Sequence, residues 1–313
     1  MKAPFEFRSD VGYDVAGFGT NAVDYLIRVP QYPAFNSKME LLDFDMLPGG
    51  EIASTLVGLQ RLGLTTAYAG SFGDDQAGKT GLDSLSSEGV DVSHARTVPG
   101  AKTQVGFIIV DEETGERTVL WKRDPALSFT ASDAPLDLAR SAKVLHMTPH
   151  DTSAAVAMAE AAREAGTIVS LDIDNIFDGY ERLLELTDIM TASSDLLERV
   201  TGIHDKLSAM TEVQSRFGCR LVGVTLGDEG SHLLCDGVLI DTPAFNLPLG
   251  AVDTTGAGDA FRTGLLCGLL QGMDVADSAE CANAVAALKC RAVGARQGLP
   301  NLADLQALLT RND

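Results

Sequence analysis

A glycine-rich stretch near the C-terminal end combines two features that phosphate chemistry needs. It reads Asp253-Thr254-Thr255-Gly256-Ala257-Gly258-Asp259, and a long apolar run follows it. This pattern predicts a glycine turn before a buried helix, whose free N–H groups and dipole attract phosphate. The carboxylate of Asp259, in the first turn of this helix, would repel phosphate. It could instead act as the base that deprotonates an attacking hydroxyl. For a lone G-x-G-D, a plain helix start with an acidic first turn explains the residues equally well.

With Ala260-Phe261 added, the stretch resembles the C-terminal signature D-T-x-G-A-G-D-x-F of the PfkB, or ribokinase-like, carbohydrate kinases. The resemblance implies transfer of the ATP γ-phosphoryl group to a hydroxyl of a small carbohydrate, with Mg²⁺ as cofactor. It implies that Asp259 is the general base. It also implies that the amides of Gly256, Ala257 and Gly258 form an anion hole for the phosphoryl group.

The elements that must position this stretch alternate between strands and helices after Lys143, which is typical of a parallel sheet. A predicted antiparallel hairpin, Thr103 to Asp111 and Glu116 to Trp121, does not fit such a sheet. The resemblance runs from about Asp14 to Pro300. It implies an α/β fold, a ribokinase-like three-layer α/β/α sandwich with a mostly parallel central sheet. We expect one domain over residues 1–313, with a small β-sheet lid formed by about 25–45 and 102–123.

Polar residues and glycines follow the first strand and precede the first long helix. Asn21 and Asp24 come just after the predicted strand Tyr13 to Phe18, where open α/β sheets bind ligands, although Asp24 alone also suits a turn. In the family, an Asp at this place accepts hydrogen bonds from sugar hydroxyls. Gly49 and Gly50 resemble the family's N-terminal signature, in which two glycines bring backbone amides against the sugar.

Two positions depart from the family pattern. Ser54 stands four residues after Gly50, where the family usually has Asn, so it offers the substrate one donor and a shorter reach. Leu196 stands where many relatives have the Glu that helps to place Mg²⁺, and a Leu side chain cannot bind a cation through water. The nearest carboxylate in sequence is Asp195, so no metal ligand is assigned.

The end of the predicted hairpin carries Trp121, Lys122 and Arg123. In an acidic protein these basic residues would either contact an anionic group of the substrate or lie in a solvated loop. We assign Trp121 and Arg123 to the substrate side of the site.

A second glycine pattern lies further along the chain. Thr225, Gly227 and Gly230 resemble the family's nucleotide segment T-x-G-x-x-G, although a hairpin turn alone explains them. Asn283 lies in a small-residue helix, where the family has an Asn that borders the adenine pocket. The resemblance therefore implies that these four residues bind the nucleotide.

Charge and composition exclude several classes of partner. The 313 residues carry a formal net charge of −20, which disfavours binding to nucleic acid or an anionic membrane surface. No apolar run approaches the roughly 20 residues of a membrane span. The five cysteines form no C-x-x-C pair and predict reduced thiols in a cytoplasmic protein. An exposed lid edge predicts a homodimer through the lid.

Two other functions remain open. A nucleoside kinase of the same fold needs aromatic stacking near the first strand or the lid. The candidates for this are Phe18, Tyr25, Phe44 and Phe107. A catalytically silent sugar-binding or regulatory homologue would retain the fold, and Ser54 and Leu196 favour it, whereas the intact Asp259 and anion hole oppose it.

Overall fold

The computed structural model describes residues 1–114, 117–247 and 250–310. Gly115 in the predicted hairpin turn, the predicted strand start at Glu116, and Pro248 and Leu249 before the glycine-rich stretch lie outside these residues. The strands are β1 Tyr13–Phe18, β2 Ala22–Val29, β3 Asp43–Gly49, β4 Thr66–Ala69, β5 Ser71–Gly73, β6 Arg96–Val98, β7 Val105–Asp111, β8 Arg117–Lys122, β9 Ala142–Met147, β10 Ile168–Ile173, β11 Ile189–Ser193, β12 Leu221–Thr225, β13 Ser231–Cys235 and β14 Val238–Thr242. The α-helices are α1 Glu51–Arg61, α2 Gln76–Ser87, α3 Leu136–Arg140, α4 Thr152–Ala165, α5 Tyr180–Glu185, α6 Ser194–Thr201, α7 Lys206–Phe217, α8 Ala257–Leu270, α9 Val275–Lys289 and α10 Leu302–Leu309.

The central sheet has eight strands in the order β14-β13-β12-β11-β10-β9-β1-β4. Six of them, from β12 to β4, run parallel, and β13 and β14 are antiparallel additions at one edge. Strands such as β10 are buried along their whole length, because helices cover both faces. Helices α3 to α7 pack in one apolar core and α1, α8, α9 and α10 in the other. The predicted three-layer sandwich with a mostly parallel sheet is confirmed.

A second, small sheet has the order β3-β2-β7-β8. The predicted antiparallel hairpin is confirmed as β7 and β8, and β2 pairs with β7 in parallel. The predicted segment 25–45 differs in its bounds: β2 begins at Ala22, and β3 begins only at Asp43. Residues 30–42 form no strand, because Pro30 ends β2 and the pairing with β3 starts at Arg28 and Asp43.

The register of the small sheet gives it two different faces. Asp24 pairs with Gly106, and Gly106 pairs with Trp121, so these residues share what we call the inner face. Tyr25, Phe107 and Leu120 share the outer face by the same pairing. Tyr25 stacks on Phe107 at 5.0 Å and on Phe44 at 5.9 Å between ring centroids. Phe44, Phe107 and Leu120 are exposed there.

Other features follow from the sequence more directly. Asp75 caps α2, because its side chain accepts a hydrogen bond of 2.9 Å from the amide of Gly78. All five cysteines are buried and free. In the described ranges, we find no helix with the length and apolar character that crossing a bilayer requires.

Candidate active site

One cleft of about 500 Å³ lies between the inner face of the small sheet, the ends of β1 and β10, and the start of α8. The predicted site residues that line it are Asp24, Gly50, Trp121, Gly256, Ala257, Gly258 and Asp259. The other lining residues are Thr20, Ala22, Glu51, Gln104, Val105, Gly106, Ile108, Arg117, Val119, His150, Asp174, Asn175, Thr254, Thr255 and Ala295.

The turn before α8 is held by its own first aspartate. The carboxylate of Asp253 accepts hydrogen bonds from the amides of Thr255 at 2.8 Å and Gly294 at 2.7 Å. The ammonium group of the buried Lys289 donates to the carbonyl oxygen of Asp253 at 2.8 Å. Asp253 therefore joins the turn to the loop after α9.

Gly256 caps α8 with a φ of 76°, a conformation that L side chains rarely adopt. The amide of Ala257 donates to the carbonyl oxygen of Thr254 at 3.1 Å, so this predicted anion-hole donor is engaged within the turn. The amides of Gly256 and Gly258 have no hydrogen-bond partner among the residues that the structure describes. These two N–H groups, at the positive end of the helix dipole, are the ones open to an anion.

Asp259 lies in the first turn of α8 and lines the cleft. Burial raises its pKa to about 7; Arg262 acts in the opposite direction, and the charge of Asp174 adds to the rise. A carboxyl group with a pKa near neutrality is a suitable general base, since it is ionised at working pH and still binds a proton well.

Further carboxyl groups crowd the same end of the cleft. Burial, followed by the charges of Asp174 and Asp172, raises the pKa of Glu51 well above its usual value. Asp172 forms a buried ion pair with Arg262, yet burial still raises its pKa to about 8. Crowded carboxylates of this kind are stabilised by a cation among them.

The carboxylates of the cleft fit Mg²⁺ only when a bound phosphate supplies further oxygen ligands. Across residues 1–114, 117–247 and 250–310, no group of three or more His, Cys, Asp or Glu side chains is arranged to hold a metal ion alone. Mg²⁺ in phosphate-transfer sites commonly uses one or two carboxylates together with phosphate oxygens and water. Glu51 and Asp174 line the cleft and fit that role, whereas Leu196 is buried in the core and Asp195 lies outside the cleft.

Asp24 lies on the opposite wall, in the middle of the small sheet. A Cβ atom on Gly49 would overlap its Oδ2 atom, and one on Gly106 would come within 2.6 Å of Oδ1. Two glycines thus provide the space that its carboxyl group occupies. Burial raises the pKa of Asp24 to about 6, although the charge of Arg296 opposes the rise.

Arg296 is buried next to Gly49. Its guanidinium donates to the carbonyl oxygen of Gly49, to Oγ of Ser54 at 3.2 Å and to Oγ of Ser84 at 3.0 Å. Ser54 is inaccessible to solvent and does not line the cleft. The residue that replaces the family Asn therefore holds Arg296 in this structure.

A model of the pfkB family carbohydrate kinases matches residues 15–302. The chain belongs to the pfkB family of carbohydrate kinases.

Individual relatives agree with this result. A nucleoside kinase of Methanothermobacter thermautotrophicus is 29% identical over 294 residues, covering 92% of this chain and 93% of that protein. A fructokinase of Klebsiella pneumoniae is 32% identical over 284 residues, covering 84% and 92%. The structure of Arabidopsis thaliana ribokinase complexed with ribose and ATP superposes with a TM-score of 0.82 at 23% identity, covering 95% of this chain and 98% of that one. The predicted family, fold and carbohydrate kinase class are confirmed.

Asn21 and Arg123, which were predicted to bind the substrate, lie outside the cleft of this pfkB kinase. The side-chain amide of Asn21 is buried and donates to the hydroxyl of Tyr68 at 2.8 Å and to the carbonyl oxygen of Ser71 at 2.9 Å. Arg123 forms an ion pair of 2.7 Å with Asp151. Both side chains are thus engaged by the protein, and the expectation that Arg123 contacts an anionic substrate is not supported.

The four predicted nucleotide residues also lie outside the cleft. Thr225 ends β12, and Gly227 and Gly230 have φ values of 64° and 105° in the turn before β13. Asn283 donates to the carbonyl oxygens of Thr242 at 3.0 Å and Pro243 at 3.1 Å. Its side chain holds the segment after β14 against α9.

The predicted residue Trp121 belongs to an aromatic wall beside the cleft of the pfkB kinase, together with His150 and Phe177, which the sequence did not predict. Of these three rings, Trp121 and His150 line the cleft. Trp121 of the small sheet meets His150 edge to face at 6.3 Å, and His150 lies 4.8 Å from Phe177 between ring centroids. Burial lowers the pKa of His150, so the ring is neutral at physiological pH. The missed polar lining residues include Glu51, Arg117, His150 and Asp174; of these, only Asp174 had a sequence signal, as an acid directly after a buried strand.

Proposed function

We propose that this pfkB kinase transfers the γ-phosphoryl group of ATP to a hydroxyl of a small sugar, with Asp259 as the general base. The observation that carries the proposal is a single cleft lined by Asp259, Asp24 and the open amide of Gly258. One carboxylate binds acceptor hydroxyls, the other accepts a proton, and the amides face the charge that develops on the phosphoryl oxygens.

In the proposed reaction the acceptor oxygen bonds to the γ-phosphorus while the bond from that phosphorus to the β–γ bridging oxygen breaks. ADP leaves with the electron pair, and the hydroxyl proton passes to a carboxylate oxygen of Asp259. Gly256 and Gly258 supply the amides that receive charge, and Ala257 joins them if the bond to Thr254 opens. When bound, Mg²⁺ held by Glu51 and Asp174 would offset the charge of the phosphates.

The acceptor would lie between the inner face of the small sheet and α8. Asp24, Gly50 and Trp121 line this space and are the proposed contacts. Asn21, Gly49 and Ser54 support it from behind through their own hydrogen bonds and packing. We propose that the small sheet acts as a lid over the acceptor and that residues 1–313 form one kinase domain.

The rest of the nucleotide would extend out of the cleft. Thr225 and Gly227 at the end of β12, Gly230 in the following turn, and Asn283 on α9 remain the proposed nucleotide residues. Their position supports this role, because β12 ends at the same edge of the central sheet as β1 and β10, and α/β sheets bind ligands at that edge.

We also propose a cytoplasmic homodimer. The outer face of the small sheet exposes Phe44, Phe107 and Leu120. This supports pairing with a second copy, because large exposed apolar patches mark interaction surfaces. The free, buried cysteines support a reducing compartment. Sedimentation that gives a single monomeric species at micromolar concentration would contradict the dimer.

A nucleoside kinase is the second candidate. The aromatic residues first considered for it do not support it, since Phe18 is in the core and Tyr25, Phe44 and Phe107 belong to the outer face. The wall of Trp121, His150 and Phe177 now supports it instead, because a nucleobase stacks well on such rings. A catalytically silent homologue is disfavoured by the intact Asp259 and the open amides.

The test is Mg²⁺-dependent conversion of ATP to ADP with a panel of ketoses, aldoses, sugar acids, sugar phosphates and nucleosides. We expect one strong acceptor among the sugars. Turnover confined to nucleosides would favour the second candidate. Silence across the panel, with ATP binding retained, would favour the silent homologue.

A further inference from the structure

The small sheet carries a cation into the cleft that neither the family signature nor the proposed site includes. Arg117 begins β8 and shares the inner face with Trp121, as the pairs Val110–Arg117 and Gly106–Trp121 show. Its guanidinium donates a hydrogen bond from Nη1 to Oγ1 of Thr254. Thr254 lies two residues before Gly256, so Arg117 spans the cleft from the small sheet to the glycine turn.

The charges around the cleft make this arginine distinctive. Among the described lining residues the ionisable side chains comprise four carboxyl groups, the neutral His150 and Arg117. Three further guanidinium groups near the cleft are engaged by the protein. Arg262 pairs with Asp172, Arg123 pairs with Asp151, and Arg296 donates to Gly49 and Ser54. Arg117 is exposed and, among the residues that the structure describes, donates from one of its five N–H groups, so its other donors can bind a ligand.

The position of Arg117 along the strand separates it from the acceptor end. Trp121 is four residues further along β8 than Arg117, a distance of about 13 Å at roughly 3.3 Å per residue. Trp121 is in register with Gly106 and Asp24, which mark the acceptor end. One sheet therefore presents an acceptor-binding carboxylate at one place and a guanidinium beside the phosphate-binding turn at another.

We propose that Arg117 is a further catalytic residue that binds the phosphoryl group in transfer, so that the small sheet adds positive charge to the anion hole. This inference rests on the proposed kinase reaction. A guanidinium fork matches phosphate oxygens, and its bond to Thr254 is the resting contact that phosphate would replace.

The first test compares R117A and R117K with R28A. Arg28 is a matched control, because it lies in the same cross-strand row of the same face and is paired with Glu112 at 2.8 Å. We expect R117A to lower kcat by about 10²–10³-fold, the scale of one lost donor to transition-state charge, with little change in acceptor KM. R117K should recover only part of the rate, and R28A should stay close to wild type.

Chemical rescue separates catalysis from folding. Added guanidinium ion at non-denaturing concentration should restore part of the kcat of R117A and none of that of D259N. T254V tests the alternative that Arg117 only fastens the sheet through the Thr254 hydroxyl. Equal losses in T254V and R117A, with no further loss in the double variant and no rescue, would overturn the proposal.

Two other outcomes would also overturn it. Loss of R117A activity confined to the KM of an anionic acceptor would assign the guanidinium to that acceptor instead. If the wild type turns over no acceptor, the proposed kinase function fails, but the role of Arg117 can still be tested by nucleotide binding. With Mg²⁺ present, we compare the ratio of the Kd for ADP to the Kd for a β,γ-imido analogue of ATP. This ratio should be at least about tenfold larger in wild type than in R117A, because Arg117 would contact the γ-phosphoryl group. An equal ratio in the two proteins would refute the inference.

Discussion

The carboxyl group of Asp24 occupies the space that a Cβ atom on Gly49 would require. The first glycine of the N-terminal signature is therefore needed to seat the proposed acceptor-binding carboxylate. Gly106 provides the same clearance from the neighbouring strand β7. The carbonyl oxygen of Gly49 also accepts a hydrogen bond from Arg296, whose charge opposes the rise in the pKa of Asp24. Residues distant in sequence thus converge on one side chain.

Enlarging either glycine should move Asp24 without disturbing the phosphate side of the cleft. We predict that G49A and G106A raise acceptor KM by about tenfold or more while the Kd for ATP changes less than threefold, since a shift of one hydrogen-bonding carboxylate costs about 1.4 kcal/mol or more. Steady-state kinetics and calorimetry measure the two effects. G12A is the matched control, because a Cβ there meets nothing closer than 3.9 Å. A loss of ATP affinity equal to the loss of acceptor affinity would contradict the separation.

The ionisation of Asp259 should set the acidic limb of the pH profile. Its pKa of about 7 means that the base is protonated, and therefore inactive, in a growing fraction of molecules as pH falls below 7. We predict that kcat/KM falls with decreasing pH through this range. R262Q should move the limb to higher pH, because Arg262 lowers the pKa of Asp259. A limb that stays in place in R262Q would show that another group controls it.

Asp259 should also reduce the stability of the free protein. Its pKa in the folded state is raised from 3.8 to about 7, so the folded state binds the proton more tightly and the free energy of unfolding falls as pH rises through this window. We predict that D259N has a higher Tm than wild type at pH 8, by at least about 2 °C, and a smaller difference at pH 5. Thermal unfolding at both pH values measures this. A Tm difference that grows toward pH 5 would have the wrong sign.

Trp121 should discriminate between the two acceptor classes. If the acceptor is a nucleoside, W121A should raise its KM by about tenfold or more, the cost of losing one stacking partner. W121F should keep most of the affinity. For a small sugar we predict a smaller rise, because hydroxyl contacts at Asp24 remain. If W121A raised the KM of a sugar more than that of a nucleoside, the nucleobase would not stack on Trp121.

The extent to which sequence predicts this site depends on how local each interaction is. Residues 253–259 carry their turn, their helix start and Asp259 within seven positions, so the signature predicts their geometry well. The sequence assigned Ser54 and Arg123 to the substrate side of the site, but their side chains contact other parts of the protein. Ser54 meets Arg296, which is 242 residues away in sequence, and Arg123 meets Asp151. No local pattern contains such contacts.

Arg117 illustrates a second limit, which is strand register. Whether it faces the cleft or solvent depends on how β8 pairs with β7, and a shift of one residue would exchange the two faces. The same register assigns Tyr25 and Phe107 to the outer face. Hydrophobicity alone shows that these residues belong to a sheet but not which side of it they occupy.

The most direct measurement is acceptor-dependent ADP formation by wild type and D259N with Mg²⁺ and the best acceptor of the panel. We predict that D259N loses about 10²–10⁴-fold in kcat, remains folded and retains ATP binding. Wild-type turnover that persists in D259N within a few-fold would contradict the assignment of Asp259 as the base, on which the rest of the mechanism depends.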